Sequence, residues 1–293
     1  MEKTIDGGLT LCKSGYAHGI ENNNTHYKMK KTLLIAAAAL AAGVISSQAQ
    51  VYSQNIVGYV NVSLQPGFTF LSNPLDSQSG GVVNNAATNV ISNPFNSGTQ
   101  SGPLDGSQLL LWNGVGYNTY YFDSNPGDTT TGFTDSNGNP LPTPTLSSGV
   151  GFYINNVSTG TNQVTIVGAV RGTTGTAIST TNVIPNQAFT FVGSGLPIGG
   201  DIETNLMLSN PFNATTQSGP LDGSKVLIPN YNAAGILVSY TTYVFDSNTG
   251  DTTTGFTDNN GNPLPAPIIP VGGAFFFNNN ANTTINWVQN LAQ

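Results

Sequence analysis

A duplicated pair of loops gathers six of the fourteen acidic side chains of this chain, and these could do chemistry. Asp123, Asn125 and Asp128 are followed by Asp135, Asn137 and Asn139, and the set returns as Asp246, Asn248, Asp251, Asp258, Asn260 and Asn262. Calcium takes about six to eight oxygens from carboxylates, amides and carbonyls. On that chemistry Asp123, Asp128, Asp135 and Asn137, with Asp246, Asp251, Asp258 and Asn260, are candidate Ca²⁺ ligands. The glycine and the bidentate glutamate of an EF-hand loop are not at their required spacing. The competing reading gives the same Asp and Asn residues a purely local task, capping turns through their own backbone.

A second set is aromatic. Trp112, Tyr117 and Tyr120 lie beside the Asn- and Asp-rich loops, and such rings could form a stacking platform for a glycan. Alternation along a strand would nevertheless send one of any adjacent pair, such as Tyr120 and Tyr121, into a core. Paired carboxylates could in principle hydrolyse a glycoside. That use requires one carboxyl in an apolar pocket, whereas the duplicated aspartates sit among Gly, Asn and Thr. The expectation is a protein that is not an enzyme.

The elements that must position these residues are written twice. Ser92–Gln108 (SNPFNSGTQSGPLDGSQ) returns at Ser209–Lys225 (SNPFNATTQSGPLDGSK), identical at 14 of 17 positions. Tyr120–Pro142 returns at Tyr243–Pro265, differing only at Tyr121/Val244, Pro126/Thr249 and Ser136/Asn259. Self-similarity at a long offset marks a duplicated structural unit. Phe68-Thr69-Phe70 pairs with Phe189-Thr190-Phe191, and Gly149–Asn156 (GVGFYINN) with Gly272–Asn279 (GGAFFFNN). The offset grows across the region, which places an insertion near Asn230–Val238 and predicts a longer hairpin in the second copy.

Between the Gly, Asn, Thr, Ser and Pro punctuation lie runs rich in Val, Ile, Tyr, Phe and Thr, the pattern of an all-β protein with many short strands. Expected strands include Ile56–Leu64, Phe68–Ser72, Gln108–Trp112, Tyr117–Asp123, Val150–Ile154 and Val164–Val170. Asn113-Gly114, Asn137-Gly138 and Asn260-Gly261 predict tight turns, since both residue types tolerate positive φ. The fold expected is two tandem, duplicated β-sandwich or barrel-like modules of short antiparallel strands. Strand edges flanked by Thr, Ser, Asn and Gly carry few of the charges that guard monomeric sheets, so self-association is expected.

The N-terminal region reads as a secretory signal peptide over residues 29–49: Met29-Lys30-Lys31, an apolar run from Leu33 to Ile45, and Ser47-Gln48-Ala49 as the cleavage site. Residues 1–28 read as a leader or an over-extended start, residues 50–172 as the first β module and residues 173–293 as the second. Cleavage after Ala49 would remove Cys12, His18 and His26, leaving a chain without Cys or His. Catalytic triads, thiol nucleophiles, disulfides and ordinary zinc sites are then excluded. The mature chain keeps Arg171 and Lys225 against eleven acidic residues, a formal charge of −9. Such a polyanion is unsuited to nucleic acid or anionic membrane surfaces, and no membrane insertion is expected after cleavage.

Pro66-Gly67-Phe68, Leu71-Ser72-Asn73-Pro74, Leu104–Tyr117 (LDGSQLLLWNGVGY), Gly149–Asn156 and the VTIVGAV run ending at Val170 resemble secreted β-repeat proteins of Verrucomicrobia-type bacteria. The resemblance spans Val51 to about Val288 and implies an exported β module. It brings no activity with it. Copy two departs from the pattern where Pro229 replaces Trp112 and Ala274 replaces Gly151. The expected role is therefore that of a secreted or cell-surface protein, structural or adhesive. The alternative is extracellular glycan binding, assisted by calcium.

Overall fold

The computed structural model describes residues 57–79, 82–92, 94–95, 102–124, 132–171, 178–210, 218–232, 234, 236–246 and 255–291. All belong to one compact unit, Asn55–Gln293. The signal-peptide reading of residues 29–49 lies outside the described residues, as does the boundary between residues 172 and 173.

The first copy contributes β1 (Val57–Leu64), β2 (Gly67–Ser72), β3 (Gln78–Ser79), β4 (Val82–Val83), a single helical turn α1 (Ala87–Val90), β5 (Gln108–Trp112), β6 (Tyr117–Asp123), β7 (Gly132–Thr134), β8 (Pro140–Leu141), β9 (Gly151–Asn156) and β10 (Asn162–Ala169). The second contributes β11 (Ile178–Ile184), β12 (Phe189–Gly193), β13 (Gly200–Asp201), β14 (Lys225–Tyr231), β15 (Leu237–Asp246), β16 (Gly255–Thr257), β17 (Pro263–Leu264), β18 (Ile268–Ile269), β19 (Ala274–Asn278) and β20 (Ile285–Leu291). The six strands expected from the sequence correspond to β1, β2, β5, β6, β9 and β10 to within two residues at either end. The short α1 turn was not foreseen, because four residues are too few to show a helical period.

Each copy builds one six-stranded antiparallel sheet, in the orders β2-β9-β5-β6-β7-β8 and β12-β19-β14-β15-β16-β17. Equivalent strands take equivalent places, so the duplication in the sequence is a duplication of the sheet. A two-stranded ribbon covers one face of each sheet: β1 with β10, and β11 with β20. Val60, Leu64, Val164 and Ile166 of the first ribbon share a core with Leu109, Phe122, Phe152 and Ile154. In the second copy Trp287 and Ile184 meet Val226, Phe245, Phe275 and Phe277, and the Trp287 indole Nε1 donates to the Leu206 carbonyl at 2.6 Å.

The other faces of the two sheets pack on each other. Phe70 and Tyr153 of the first copy join Phe191, Ala274 and Phe276 of the second in a buried layer, flanked by Phe68, Leu110, Trp112, Leu227 and Leu237. This layer explains why Phe275-Phe276-Phe277 does not alternate. Successive side chains on a strand point to opposite faces, and here one face meets the module core while the other meets the neighbouring module. Phe276 is the hub of the layer. Its ring lies 4.5 Å from Phe191, 4.6 Å from Phe189, 5.8 Å from Trp112 and 5.9 Å from Phe70.

The interface has a pseudo-two-fold character. Ser72 N–H donates to the Gly272 carbonyl at 2.8 Å, and Gly193 N–H donates to the Gly149 carbonyl at 3.0 Å. Ser72 is equivalent to Gly193 and Gly149 to Gly272, so the two bonds are one contact made twice. Leu71 bridges Gly273 and Val192 bridges Val150 in the same reciprocal way. The edge strand of each sheet is thereby closed by the other module. At the far edges, β8 and β17 are two residues long and begin with Pro140 and Pro263, which withhold a donor N–H. The six-stranded sheets thus carry edge protection that their low charge did not reveal.

Truncating Phe276 to alanine removes the ring on which this layer converges. The expected cost is about 3–5 kcal/mol, and calorimetry should show the single unfolding transition separating into two. A single transition with an unchanged midpoint would contradict the assignment of Phe276 as the hub.

Candidate functional site

The Asn-Gly turns after β7 and β16 hold the best-defined acidic residues. Asp135 Oδ1 accepts from the backbone N–H groups of Asn137 at 2.8 Å and Asn139 at 2.9 Å, and its Oδ2 accepts from Asn139 Nδ2 at 2.8 Å. Asp258 repeats this with Asn260 at 2.8 Å, Asn262 at 2.9 Å and Asn262 Nδ2 at 2.8 Å. Gly138 and Gly261 both adopt φ of 80°, the left-handed region that only glycine enters cheaply. These bonds hold both carboxyls below the ordinary aspartate value, the Asn139 and Asn262 side-chain amides contributing most. The carboxylates act as turn caps.

The remaining acidic candidates are dispersed. Asp123 and Asp246 end β6 and β15, opposite Gly132 and Gly255, whereas Asp135 and Asp258 follow the far ends of β7 and β16. Asp128 and Asp251 lie outside the described residues. Asn137 and Asn260 are exposed in the turns. No three acidic side chains converge on a common point among the described residues. Other carboxylates also organise loops: Asp105 Oδ1 accepts from Ser124 N–H at 2.7 Å, and Asp222 Oδ2 accepts from Gly219 N–H at 3.0 Å.

The aromatic candidates divide between the two faces of the first sheet. Trp112 and Tyr117 are paired across β5 and β6, with ring centroids 5.1 Å apart. Trp112 turns into the inter-module layer, where Nε1 donates to the Phe189 carbonyl at 3.0 Å. The Tyr117 hydroxyl donates to the Tyr153 hydroxyl at 3.2 Å. Burial raises the Tyr117 and Tyr153 phenols above the usual tyrosine value. Tyr120 faces the other way, packed on the first core with its ring 6.1 Å from Phe133. The three residues do not form one platform.

The sequence reading missed a cleft of about 370 Å³ between the modules. One wall comes from β1 and β2, with Asn61, Ser63, Thr69 and Phe70; the other comes from Ile228, Pro229 and Tyr231 of β14 and the segment Ile268–Ala274. Pro229 stands where the first copy has Trp112. In the first copy the indole closes onto Phe189 of β12, while the second copy extends its hairpin instead. The added Tyr231 then reaches β2, its hydroxyl accepting from Phe70 N–H at 3.3 Å. Burial pushes the Tyr231 phenol up to about 12. The available signal was the Trp112-to-Pro229 change together with the insertion beside it.

The two cations among the described residues have local partners. Arg171 Nε pairs with Asp76 Oδ2 at 3.3 Å, and its Nη1 donates to Thr180 Oγ1 at 3.2 Å, tying the end of the first module to β11. Lys225 Nζ donates to Asn259 Oδ1 at 3.1 Å.

The turn-capping role has a pH consequence. A carboxyl with a depressed folded-state value contributes stability above the unfolded aspartate value near 3.9 and loses it as pH falls through the folded value. NMR titration should place the Asp135 and Asp258 midpoints below that of an ordinary aspartate, and Asn139→Ala should raise Asp135 alone. Ordinary midpoints at both sites would remove the assigned role. No family model matches the chain, and no curated protein or solved structure matches it.

Proposed function

We propose that this chain is an exported, non-enzymatic structural or adhesive protein of the cell surface or extracellular matrix. The observation that carries the reading is the shared aromatic layer. Two modules with separate cores lock face to face through Phe70, Tyr153, Phe191 and Phe276, giving a body whose parts hold one another in register. Four of the described carboxylates serve the same end, since Asp105, Asp135, Asp222 and Asp258 fix loop conformations. The signal-peptide pattern at residues 29–49 and the resemblance to secreted β-repeat proteins support export. Fractionation of the native protein, with mass spectrometry of its N-terminus, should find a chain beginning at Gln50 in insoluble extracellular material. A full-length chain confined to the cytoplasm would reject the proposal.

The inter-module cleft favours a second reading, binding of an uncharged glycan unit. Asn61, Ser63 and Thr69 offer neutral polar groups on one wall, opposite the apolar Pro229 and the amphipathic Tyr231 ring. No charged side chain among the described residues lines it, which suits a neutral sugar with one apolar face and a rim of hydroxyls. Affinity electrophoresis in gels containing neutral polysaccharides should retard the chain. Pro229→Trp, which supplies the indole of the first copy, should weaken retardation about tenfold, a change of about 1.4 kcal/mol. Migration indifferent to every neutral polysaccharide would remove this reading.

A further inference from the structure

The face that each module presents to the other is keyed to reject its own kind. On the pseudo-axis the equivalent residues Ser72 and Gly193 touch directly: a Cβ at Gly193 would lie 2.4 Å from Ser72 Cβ. Ser72 fits only because its counterpart has no side chain. Two first modules docked in the same geometry would oppose Ser72 to Ser72 at that impossible separation. Gly151 supplies a second key. A Cβ there would lie 2.7 Å from Phe191 Cγ, and the equivalent residue of the second copy is Ala274. Two second modules would therefore drive the Ala274 methyl into Phe191. The pairing of unlike modules is the one that both keys permit.

The same face can be released without dismantling either module. The first core is built wholly from residues Val60–Ile166 and the second wholly from Ile184–Trp287. Of the three apolar clusters only the aromatic layer draws on both modules. A partner chain offers contacts identical to those lost on opening, so pairing within one chain and between two chains differ only in effective concentration, which is in the millimolar range for closely tethered modules. Reciprocal exchange closes on itself, whereas head-to-tail exchange extends without limit.

We infer that the Phe70–Tyr153 face of the first module is a docking surface for the Phe191–Phe276 face of the second module of another copy of this chain. This is the contact through which the protein would assemble. Its biological use rests on the structural reading above; the pairing is a property of the chain itself and is measured apart from localisation.

Two full-length variants test it by complementation. Phe276→Asp spoils the second-module face and leaves the first intact, while Phe70→Asp does the converse. Circular dichroism and the near-ultraviolet aromatic bands establish that both cores remain folded. Each variant alone should be monomeric by light scattering, and an equimolar mixture should form a one-to-one complex of twice the monomer mass. Should either substitution prevent folding, the wild-type chain is instead warmed at about 1 mM, cooled and examined for a dimer that is absent after the same treatment at about 10 µM. A mixture that stays monomeric, a variant that dimerises alone, or a wild-type chain that remains monomeric at the higher concentration would overturn the inference.

Discussion

The architecture depends on one constraint: each six-stranded sheet has two apolar faces, and a single ribbon can cover only one. On β9 and β19 the residues facing the module core, Phe152 and Ile154 or Phe275 and Phe277, alternate with Tyr153 or Phe276, which would be exposed if the module stood alone. Aromatic side chains bury large areas, and edge-to-face or offset contacts add to that burial. Placing the second sheet against the first satisfies both spare faces at once. The layers run ribbon, sheet, sheet, ribbon, and the buried residues of the shared middle come from β2 and β9 of one sheet and β12 and β19 of the other.

The same contact resolves the edge strands. Sheet edges expose unpaired N–H and carbonyl groups that invite foreign strands. In this chain, which has few charges to deter them, β2 and β12 are covered by the opposite module through Gly272, Gly149, Tyr231 and Trp112. The reciprocity of the Ser72 and Gly193 bonds is what a duplicated module produces when it docks on its own copy. The departures from symmetry are equally informative. Trp112 closes one side and the extended β14–β15 hairpin closes the other, leaving the cleft beside Pro229.

Polar groups are used economically throughout. Ser72, Asn73, Asn156 and Asn279 are buried, and each is engaged: Asn73 Nδ2 donates to the Leu146 carbonyl at 2.8 Å, and the Asn156 and Asn279 amides donate to the carbonyls of Leu64 and Pro185 at 3.0 and 2.7 Å. Buried polar groups left unpaired would cost more than these bonds contribute. This gives a physical reason for the Asn-Asn pair that both copies keep at the ends of GFYINN and AFFFNN, although most of the residues before it differ. Their amides hold loops to strands, a task that depends on donor geometry as strictly as a core depends on volume.

The strands, their duplication and the longer second hairpin were legible in the sequence because they rest on local chemistry: β-branched and aromatic runs, Asn-Gly turns, and repeated segments whose offset shifts at the insertion. The turn-capping alternative for Asp135 and Asp258 was legible for the same reason, since the bonds reach no further than four residues. Whether Phe276 faced a core or a partner was not legible, because a strand apolar on both faces reads alike in either case. Tyr120 and Tyr117, three residues apart, fall on opposite faces, and only the packing of β6 says which face meets the core and which meets the neighbouring module. The cleft at Pro229 joins residues from Asn61 to Ala274, and no local pattern records a space between surfaces so distant in the chain. Sequence alone determined the elements and their repetition, which are set by near neighbours. Tertiary structure alone decided what each face meets, because that is set by the burial of apolar area between segments more than a hundred residues apart.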